Sequence, residues 1–410
     1  MSKRVLLVNV YFAPNSFGGA TVVAEEMAKR LADQHQWAVS GFTSMRAPAL
    51  PDYVVRRYRA RSTDVVAISL PGALRTTEQY HNPHVRARFA RVLDAFEPDV
   101  VHVHCIQTLG ADLIDAVTER NIPLAVTLHD SWWLCERQFM IDRHGQHCLQ
   151  RTISTDRCHY CVDDHHETRM RTEYLRGQLR KADALLFPSQ FQRDHYINNG
   201  AAPERCIVNK NGVLPPSDSY RRRQAGGAPV FGFIGGPGAV KGGDIIVRAL
   251  QQLGRKDIHL KVVDAAQNIG SSWANAGYWN VPCTVENVPA YKQDSIDQFF
   301  ASIDVLLFPS QAKESFGLTV REALLRDVWV IGTDAGGAAE DLRDGHNATL
   351  IPLDGQHHRL AAAIDACMQR TDWPEYRNPH KDAITTLDDQ AAELSAMLHA
   401  LASRTAVAMQ

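Results

Sequence analysis

Nine residues, Ala182-Asp183-Ala184-Leu185-Leu186-Phe187-Pro188-Ser189-Gln190, recur 121 positions later as Ile303-Asp304-Val305-Leu306-Leu307-Phe308-Pro309-Ser310-Gln311, with seven of nine identical. A short apolar run closed by Pro-Ser reads as a buried strand ending at a turn. Any buried strand that leaves a helix and ends this way looks similar. The sharper reading is two related doubly wound halves, each with a Ser-bearing turn at the carboxyl end of a strand, the edge where such sheets bind ligands. Short apolar runs and amphipathic stretches alternate along the rest of the chain, at residues 5–12, 21–32, 65–70, 100–105, 109–120, 124–128 and 184–188. A polar Gly/Pro-rich stretch at residues 215–227 interrupts them, and the alternation restarts at 230–235. This predicts an α/β fold with parallel sheets covered on both faces. The expected divisions are an N-terminal domain at 1–212, a linker at 213–228, a C-terminal domain at 229–385 and a closing helix at 386–410.

A length of 410 residues exceeds what one core usually serves. The 44 Lys and Arg nearly balance 46 Asp and Glu, so no global charge draws the chain to nucleic acid. The N-terminal run of residues 5–10 is too short for a signal peptide, and nothing approaches a membrane-spanning stretch. These features lead to the expectation of a cytoplasmic protein with reduced thiols.

The most informative chemistry follows the second copy of the repeated strand, in Lys313-Glu314-Ser315-Phe316-Gly317-Leu318-Thr319-Val320-Arg321-Glu322. A helix starting near residues 316–318 presents free N–H groups and a dipole to an anion. Glu314 then lies in the loop before it and Glu322 eight residues on; together they can hold hydroxyls of a polar ligand, or serve as a cap and a solvated face. Gly235-Gly236-Pro237-Gly238-Ala239-Val240-Lys241-Gly242 follows a strand and opens a helix. Glycines allow close approach of a phosphate and Lys241 supplies a cation. The stretch lacks the third glycine of a dinucleotide fingerprint and has Val240 where a P-loop needs Gly. Gly18 and Gly19 form another turn after the first strand. His102 and His104 share one face of a strand, and His129 and Asp130 close the next. Two histidines without a third ligand read as packed or cleft residues rather than a metal pair.

Together these segments resemble glycosyltransferase family 4, retaining nucleotide-sugar enzymes with two Rossmann-like domains facing a central cleft, the GT-B fold. The resemblance rests on the Gly18-Gly19 turn, Pro98-Asp99-Val100-Val101-His102-Val103-His104, Thr127-Leu128-His129-Asp130, Asn209-Lys210-Asn211-Gly212-Val213, Lys241-Gly242, Glu314 through Leu318 with Glu322, and Asp334-Ala335-Gly336-Gly337. It implies a hexosyltransferase-type enzyme that takes a UDP-, GDP- or dTDP-sugar and transfers the sugar to a glycan or lipid-linked glycan in polysaccharide or glycoconjugate assembly, with no cofactor required for catalysis. Lys241 and the N–H groups of Phe316, Gly317 and Leu318, beside Ser315, are implied to meet the donor diphosphate. Glu322 is implied to hold the ribose, Glu314 the sugar hydroxyls and His129 the transferred sugar. Gly18 and Gly19 are implied to approach donor and acceptor. Lys241, Glu314 and His129 form the expected catalytic set. The family's Arg after the strand is missing, its place taken by Gly235-Gly236-Pro237. That departure keeps open a noncatalytic nucleotide-sugar-binding or zinc-bearing scaffold. A phosphorylase or epimerase of the same fold is a further alternative.

Four of the eight cysteines fall close together, Cys135, Cys148, Cys158 and Cys161, in an expected insertion at 131–165. The Cys-x2-Cys spacing makes structural zinc one reading, with disulfides and unrelated thiols as others. Cys105, Cys206, Cys283 and Cys367 read as core. Two basic clusters, Arg56-Arg57-Tyr58-Arg59-Ala60-Arg61 and residues 169–181, read as solvated faces or as peripheral contacts with an anionic inner membrane.

Overall fold

The structure is a computed structural model that describes residues 2–16, 18–47, 49–223, 227–236, 238–269, 271–274, 277–293 and 295–408. It divides into two compact units. The N-terminal unit comprises Met1–Met140, Gln150–Gly212 and Leu387–Gln410; the C-terminal unit comprises Ile141–Leu149 and Val213–Thr386.

The N-terminal unit runs β1 (Arg4–Val8), α1 (Gly18–Asp33), β2 (Ala38–Met45), β3 (Val55–Ala60), β4 (Thr63–Ser69), α2 (Pro83–Phe96), β5 (Val100–Val103), α3 (Leu113–Thr118), β6 (Leu124–Thr127), α4 (His165–Leu179), β7 (Ala184–Phe187), α5 (Gln190–Ile197) and β8 (Cys206–Val208). Its sheet has the order β3-β4-β2-β1-β5-β6-β7-β8. Only β3 is antiparallel to its neighbour among these strands. Every residue of β5, β6 and β7 is buried, as a sheet covered on both faces requires.

The C-terminal unit runs β9 (Val230–Phe233), α6 (Gly243–Leu253), β10 (His259–Asp264), β11 (Thr284–Pro289), α7 (Ile296–Ala301), β12 (Val305–Phe308), α8 (Leu318–Leu325), β13 (Trp329–Thr333), β14 (Ala348–Ile351) and α9 (His357–Gln369). The sheet is parallel, in the order β11-β10-β9-β12-β13-β14. Strand β12 shows why these runs are continuously apolar. Val305 and Leu307 enter one core with Ile246, Leu250 and Ile364, while Leu306 and Phe308 enter the opposite one with Phe300, Val320 and Leu324.

An Asp just before a strand sets the register of the strand beside it. The carboxylates of Asp99, Asp183 and Asp304 accept hydrogen bonds from the N–H groups of Arg4, Leu124 and Val230, at 2.6, 2.8 and 2.9 Å. Each donor is the first residue of the neighbouring strand, β1, β6 or β9. The repeated nine-residue segment carries this local device in β7 and β12, but the two strands occupy different places. β12 lies beside β9 at the centre of its sheet, whereas β7 lies three strands from β1. Their serines also differ: Ser189 caps α5, accepting from Gln192 N at 3.0 Å, while the Ser310 hydroxyl donates to Val240 O at 3.3 Å.

The closing helix, α10 (Leu387–Ala408), groups with the N-terminal unit, packed on α1 and β5. It buries Ala391, Leu394 and Leu398, and Trp37 Nε1 donates to Ser395 Oγ at 2.9 Å. Residues 213–223 are not a bare tether, because Val213 enters the C-terminal core and buried Arg222 pairs with Asp304 at 3.1 Å. Zinc at Cys135, Cys148, Cys158 and Cys161 is not supported: among the described residues no group of three or more His, Cys, Asp or Glu is placed to hold a metal ion. Of the other four cysteines only Cys367 is fully buried. In the basic clusters, Arg56, Arg57 and Arg59 are exposed on edge strand β3. Arg61 pairs with Glu26 at 2.6 Å. Arg171 is buried instead, over the Trp132 ring at 5.0 Å and donating to its carbonyl at 2.7 Å. No helix among the described residues is long and apolar enough to cross a membrane.

Asp304 is buried and neutralises Arg222 and Arg223, whereas Asp183 is exposed. Asp304→Ala should therefore lower unfolding free energy by about 3–5 kcal/mol by leaving buried positive charge uncompensated. Asp183→Ala should cost about 1 kcal/mol, the scale of one hydrogen bond. Urea denaturation midpoints of the two variants check the difference.

Candidate functional site

In the C-terminal unit the strand order reverses between β9 and β12. In doubly wound sheets such a reversal, at the carboxyl ends of the strands, is where ligands bind. The loop after β9 carries Gly235, Gly236, Lys241 and Gly242; the loop after β12 carries Glu314 through Gly317. Gly242 has φ +79°, and a Cβ there would collide with the Pro309 carbonyl. A Cβ on Gly235 would strike the Phe233 ring and stand 3.0 Å from Lys241 Cβ. These glycines thus let the Lys241 turn press against the end of β12, where Gln311 N donates to Val240 O at 2.8 Å. Gly236 has φ +70° with open space around it. Pro237, part of the stretch replacing the family's Arg, lies outside the described residues.

The resulting contact is an ion pair, Lys241 Nζ to Glu314 Oε1 at 2.9 Å, with Lys241 more exposed than Glu314. The backbone of Glu314 is locked to the loop after β13: its N–H donates to Ala335 O at 2.9 Å, and its carbonyl accepts from Gly337 N at 2.8 Å. α8 begins at Leu318, within the predicted range, with Gly317 at φ +86° before it. Gly317 supplies no side chain to cap the helix, and a Cβ there would stand 2.7 Å from Ala338 Cβ. Ser315 and Phe316 form the approach to this turn.

Arg321, which the sequence reading did not single out, holds that approach in place. Its side chain is 1% exposed. It pairs with Asp341 at 2.7 Å, donates to the carbonyls of Phe316, Gly337 and Ala338, and lies 4.1 Å over the Phe316 ring. The available sequence signal was the adjacent Arg321 and Glu322 inside a short helix whose other residues are apolar apart from Thr319, because charges buried there must be paired or neutralised. Glu322 is not on a solvated face. It is buried, and Tyr291 Oη donates to its Oε2 at 3.4 Å. Burial pushes its carboxyl up from 4.5 to about 7, against the opposing pull of Arg326 and the Tyr291 hydrogen bond. Arg326 is itself buried and tied to Asp297 at 2.7 Å. Tyr291 and Arg326, like Arg321, lie outside the motifs read from sequence.

The N-terminal unit reverses its strand order between β1 and β5. Gly18 and Gly19 are exposed at the start of α1 after the first strand; Phe17 lies outside the described residues. His104 follows β5 and His129 follows β6, and the structure brings them together with His104 Nδ1 2.9 Å from His129 Nε2. His102 bonds Thr127 Oγ1 through Nε2 at 2.7 Å. His102 and His104 are packed, one of the two readings offered for them; His129, read as a ligand contact, is buried as well, and burial pushes it down to about 4, keeping the ring neutral at pH 7. Asp130 turns inward: its carboxylate accepts from Trp132 N at 2.8 Å and Gln138 Nε2 at 2.7 Å, and its carbonyl accepts from Tyr196 Oη at 2.7 Å.

Residues 17–215 match Glycosyltransferase Family 4, and residues 218–384 match Glycosyl transferases group 1. Among curated relatives, a D-inositol 3-phosphate glycosyltransferase from Nocardia farcinica is 25% identical over 204 residues, covering 43% of this chain and 44% of its own length. Its counterpart from Corynebacterium aurimucosum is 26% identical over 252 residues, covering 55% and 59%. The chain spans about half the length of the curated relatives it matches. The fold matches a glycosyltransferase from Rickettsia africae with TM-score 0.65 at 14% identity over 98% of both chains. It also matches Anabaena Alr3699/HepE in complex with UDP and glucose, with TM-score 0.62 at 18% identity over 99% of both chains.

A raised carboxyl makes a pH prediction. Between about pH 4.5 and 7 native Glu322 keeps a proton that the unfolded chain releases, so its contribution to stability declines as pH rises through that window. Glu322→Gln removes the penalty of ionising a buried acid. The variant should match the parent near pH 4 and exceed it at pH 8 by up to about 3 kcal/mol, measured by chemical denaturation at both pH values.

Proposed function

Since the chain belongs to the family 4 glycosyltransferases, we propose that it transfers a sugar from a nucleoside diphosphate sugar to a glycan or lipid-linked glycan with retention of anomeric configuration. The observation that carries the proposal is the Lys241–Glu314 pair at the switch point of the C-terminal sheet, beside the start of α8. A cation, a carboxylate and a helix N-terminus are the groups a diphosphate joined to a polyhydroxylated sugar requires.

Without donor, Lys241 and Glu314 neutralise each other. With donor, Lys241 turns to the diphosphate, where the first N–H groups of α8 add the positive end of the helix dipole. Glu314 is thereby released to accept hydrogen bonds from sugar hydroxyls, and Glu322 takes the ribose hydroxyls. When the bond from the anomeric carbon to the phosphate oxygen breaks, negative charge grows on the diphosphate, so groups already aimed there stabilise the transition state more than the ground state. The acceptor hydroxyl bonds to the anomeric carbon on the face the phosphate leaves, and its proton passes to the departing phosphate oxygen. His129 stays neutral and binds a hydroxyl of the transferred sugar. The bound UDP and glucose of the Anabaena neighbour make UDP-sugars the first donors to try. The second reading, a noncatalytic nucleotide-sugar binder, is favoured by the missing Arg at Gly235-Gly236.

Thermal shifts with UDP-, GDP- and dTDP-sugars should identify one stabilising donor class, and acceptor-dependent nucleotide release should follow with that donor. Lys241→Ala should weaken donor binding and lower turnover by roughly 100-fold or more, the scale for losing one preorganised charge partner. Glu314→Gln should lower turnover similarly with a smaller effect on nucleoside diphosphate binding. Turnover unchanged in both variants would refute the mechanism; donor binding without acceptor-dependent release would favour the noncatalytic reading.

A further inference from the structure

The His104–His129 contact defines a protonation pattern that the proposed sugar contact does not itself require. Both rings are buried, at 2% and 9% exposure, and nearly parallel, with an interplanar angle of 15° and centroids 5.2 Å apart. At 2.9 Å, His104 Nδ1 and His129 Nε2 share one proton, because two bare nitrogens would repel and two N–H groups would clash. Two arrangements satisfy that condition. In one, His129 Nε2–H donates, so neutral His104 must carry its other proton on Nε2–H or be left anionic. Since His104 Nδ1 is then the acceptor, its Nε2 is the donor. That Nε2 atom is buried without a hydrogen-bond partner, so this arrangement strands an N–H in the interior. In the other, His104 Nδ1–H donates and Nε2 is bare. An orphaned buried N–H is the rarer and costlier outcome, which favours the second arrangement.

We propose that His104 is a positioning residue whose Nδ1–H donates to His129 Nε2, holding His129 as the Nδ1–H tautomer and presenting that N–H as a donor to a ligand hydroxyl. The ligand part rests on the functional reading above; the tautomer part does not. β5 and β6 run parallel and pair His102 with Ala125 and Val103 with Val126, so the residue two further along on the β6 side lies diagonally on the same face: His102 bonds Thr127 and His104 meets His129. His104 therefore acts through His129, fixing its ring plane as well as its proton, as second-layer partners of functional histidines commonly do.

The test uses the full chain with 15N-labelled histidine and no ligand. Long-range 1H–15N spectra, assigned with His104→Asn and His129→Asn variants, should show both rings as Nδ1–H tautomers, with His129 Nε2 shifted as a hydrogen-bond acceptor. His129 observed as the Nε2–H tautomer overturns the proposal. In donor-dependent transfer, His104→Leu should lower kcat/KM by about tenfold, the value of one neutral hydrogen bond, with binding of free UDP unchanged. His104→Asn, whose amide N–H can replace Nδ1–H, should restore most of that loss. Equal activity of the Leu and Asn variants, or no change in the His129 resonances in His104→Leu, also overturns it. If the tautomers are as stated but His129→Ala transfers sugar normally, the pairing stands and the assignment of His129 to the sugar fails.

Discussion

The buried guanidinium of Arg321 is the interaction on which the geometry of the C-terminal site depends. Its carboxylate partner Asp341 balances the charge, and its other N–H groups donate to the carbonyls of Phe316, Gly337 and Ala338, with a longer contact to Gly317 O at 3.5 Å. Those carbonyls lie in two different loops, after β12 and after β13. A hydrophobic residue of similar size could fill the same volume, but it could not fix both loops by direction. A buried ion pair adds little net stability, because desolvation offsets most of the attraction. Its effect here is positional: Gly317 is held against Ala338, directly before α8 begins. Glu314, bonded through its backbone to Ala335 and Gly337, inherits its place from the same pair of loops.

A second constraint acts at the other end of the strands. Asp99, Asp183 and Asp304 satisfy the first N–H of the neighbouring strand, which no ladder partner reaches. Register set there is carried up the parallel strands to the carboxyl edge. Because side chains alternate with period two, a slip of one residue would turn His102 and His104 to the opposite face. In such sheets ligands bind where the strand order reverses. In one unit the reversal lies between β1 and β5, in the other between β9 and β12. The glycine turns and the Lys241 turn follow strands at these reversals.

Much of this was readable from residue patterns. Continuous apolar runs indicated strands covered on both faces, and the residues before Leu318 indicated a helix start. The glycine-rich turn was read as a place for a phosphate to approach the backbone; what packing adds is that Gly242 meets Pro309 of the protein itself. The repeated Asp-x-Leu-Leu-Phe-Pro-Ser-Gln segment pointed correctly to two doubly wound halves, although its two copies occupy different places in their sheets. Other patterns misled for physical reasons. Cysteine spacing along the chain did not translate into a metal-holding group among the described residues, because spacing in sequence does not set where the thiols lie in space. Arg171 looked like surface charge beside Arg169, yet the helix turns it inward onto Trp132.

The sequence by itself determined the class of fold, the positions of the glycine-rich turns and the identity of Lys241, Glu314, Glu322 and His129 as candidates. Those conclusions depend on local period, on glycine's lack of a Cβ and on charge type, all of which are properties of short segments. Only the tertiary structure decided that Lys241 and Glu314 pair, that Glu322 is buried enough to hold its proton near neutrality, and that His104 meets His129. Each of these depends on distance between residues far apart in the chain and on exclusion of water, which sheet order and packing set and no short segment contains.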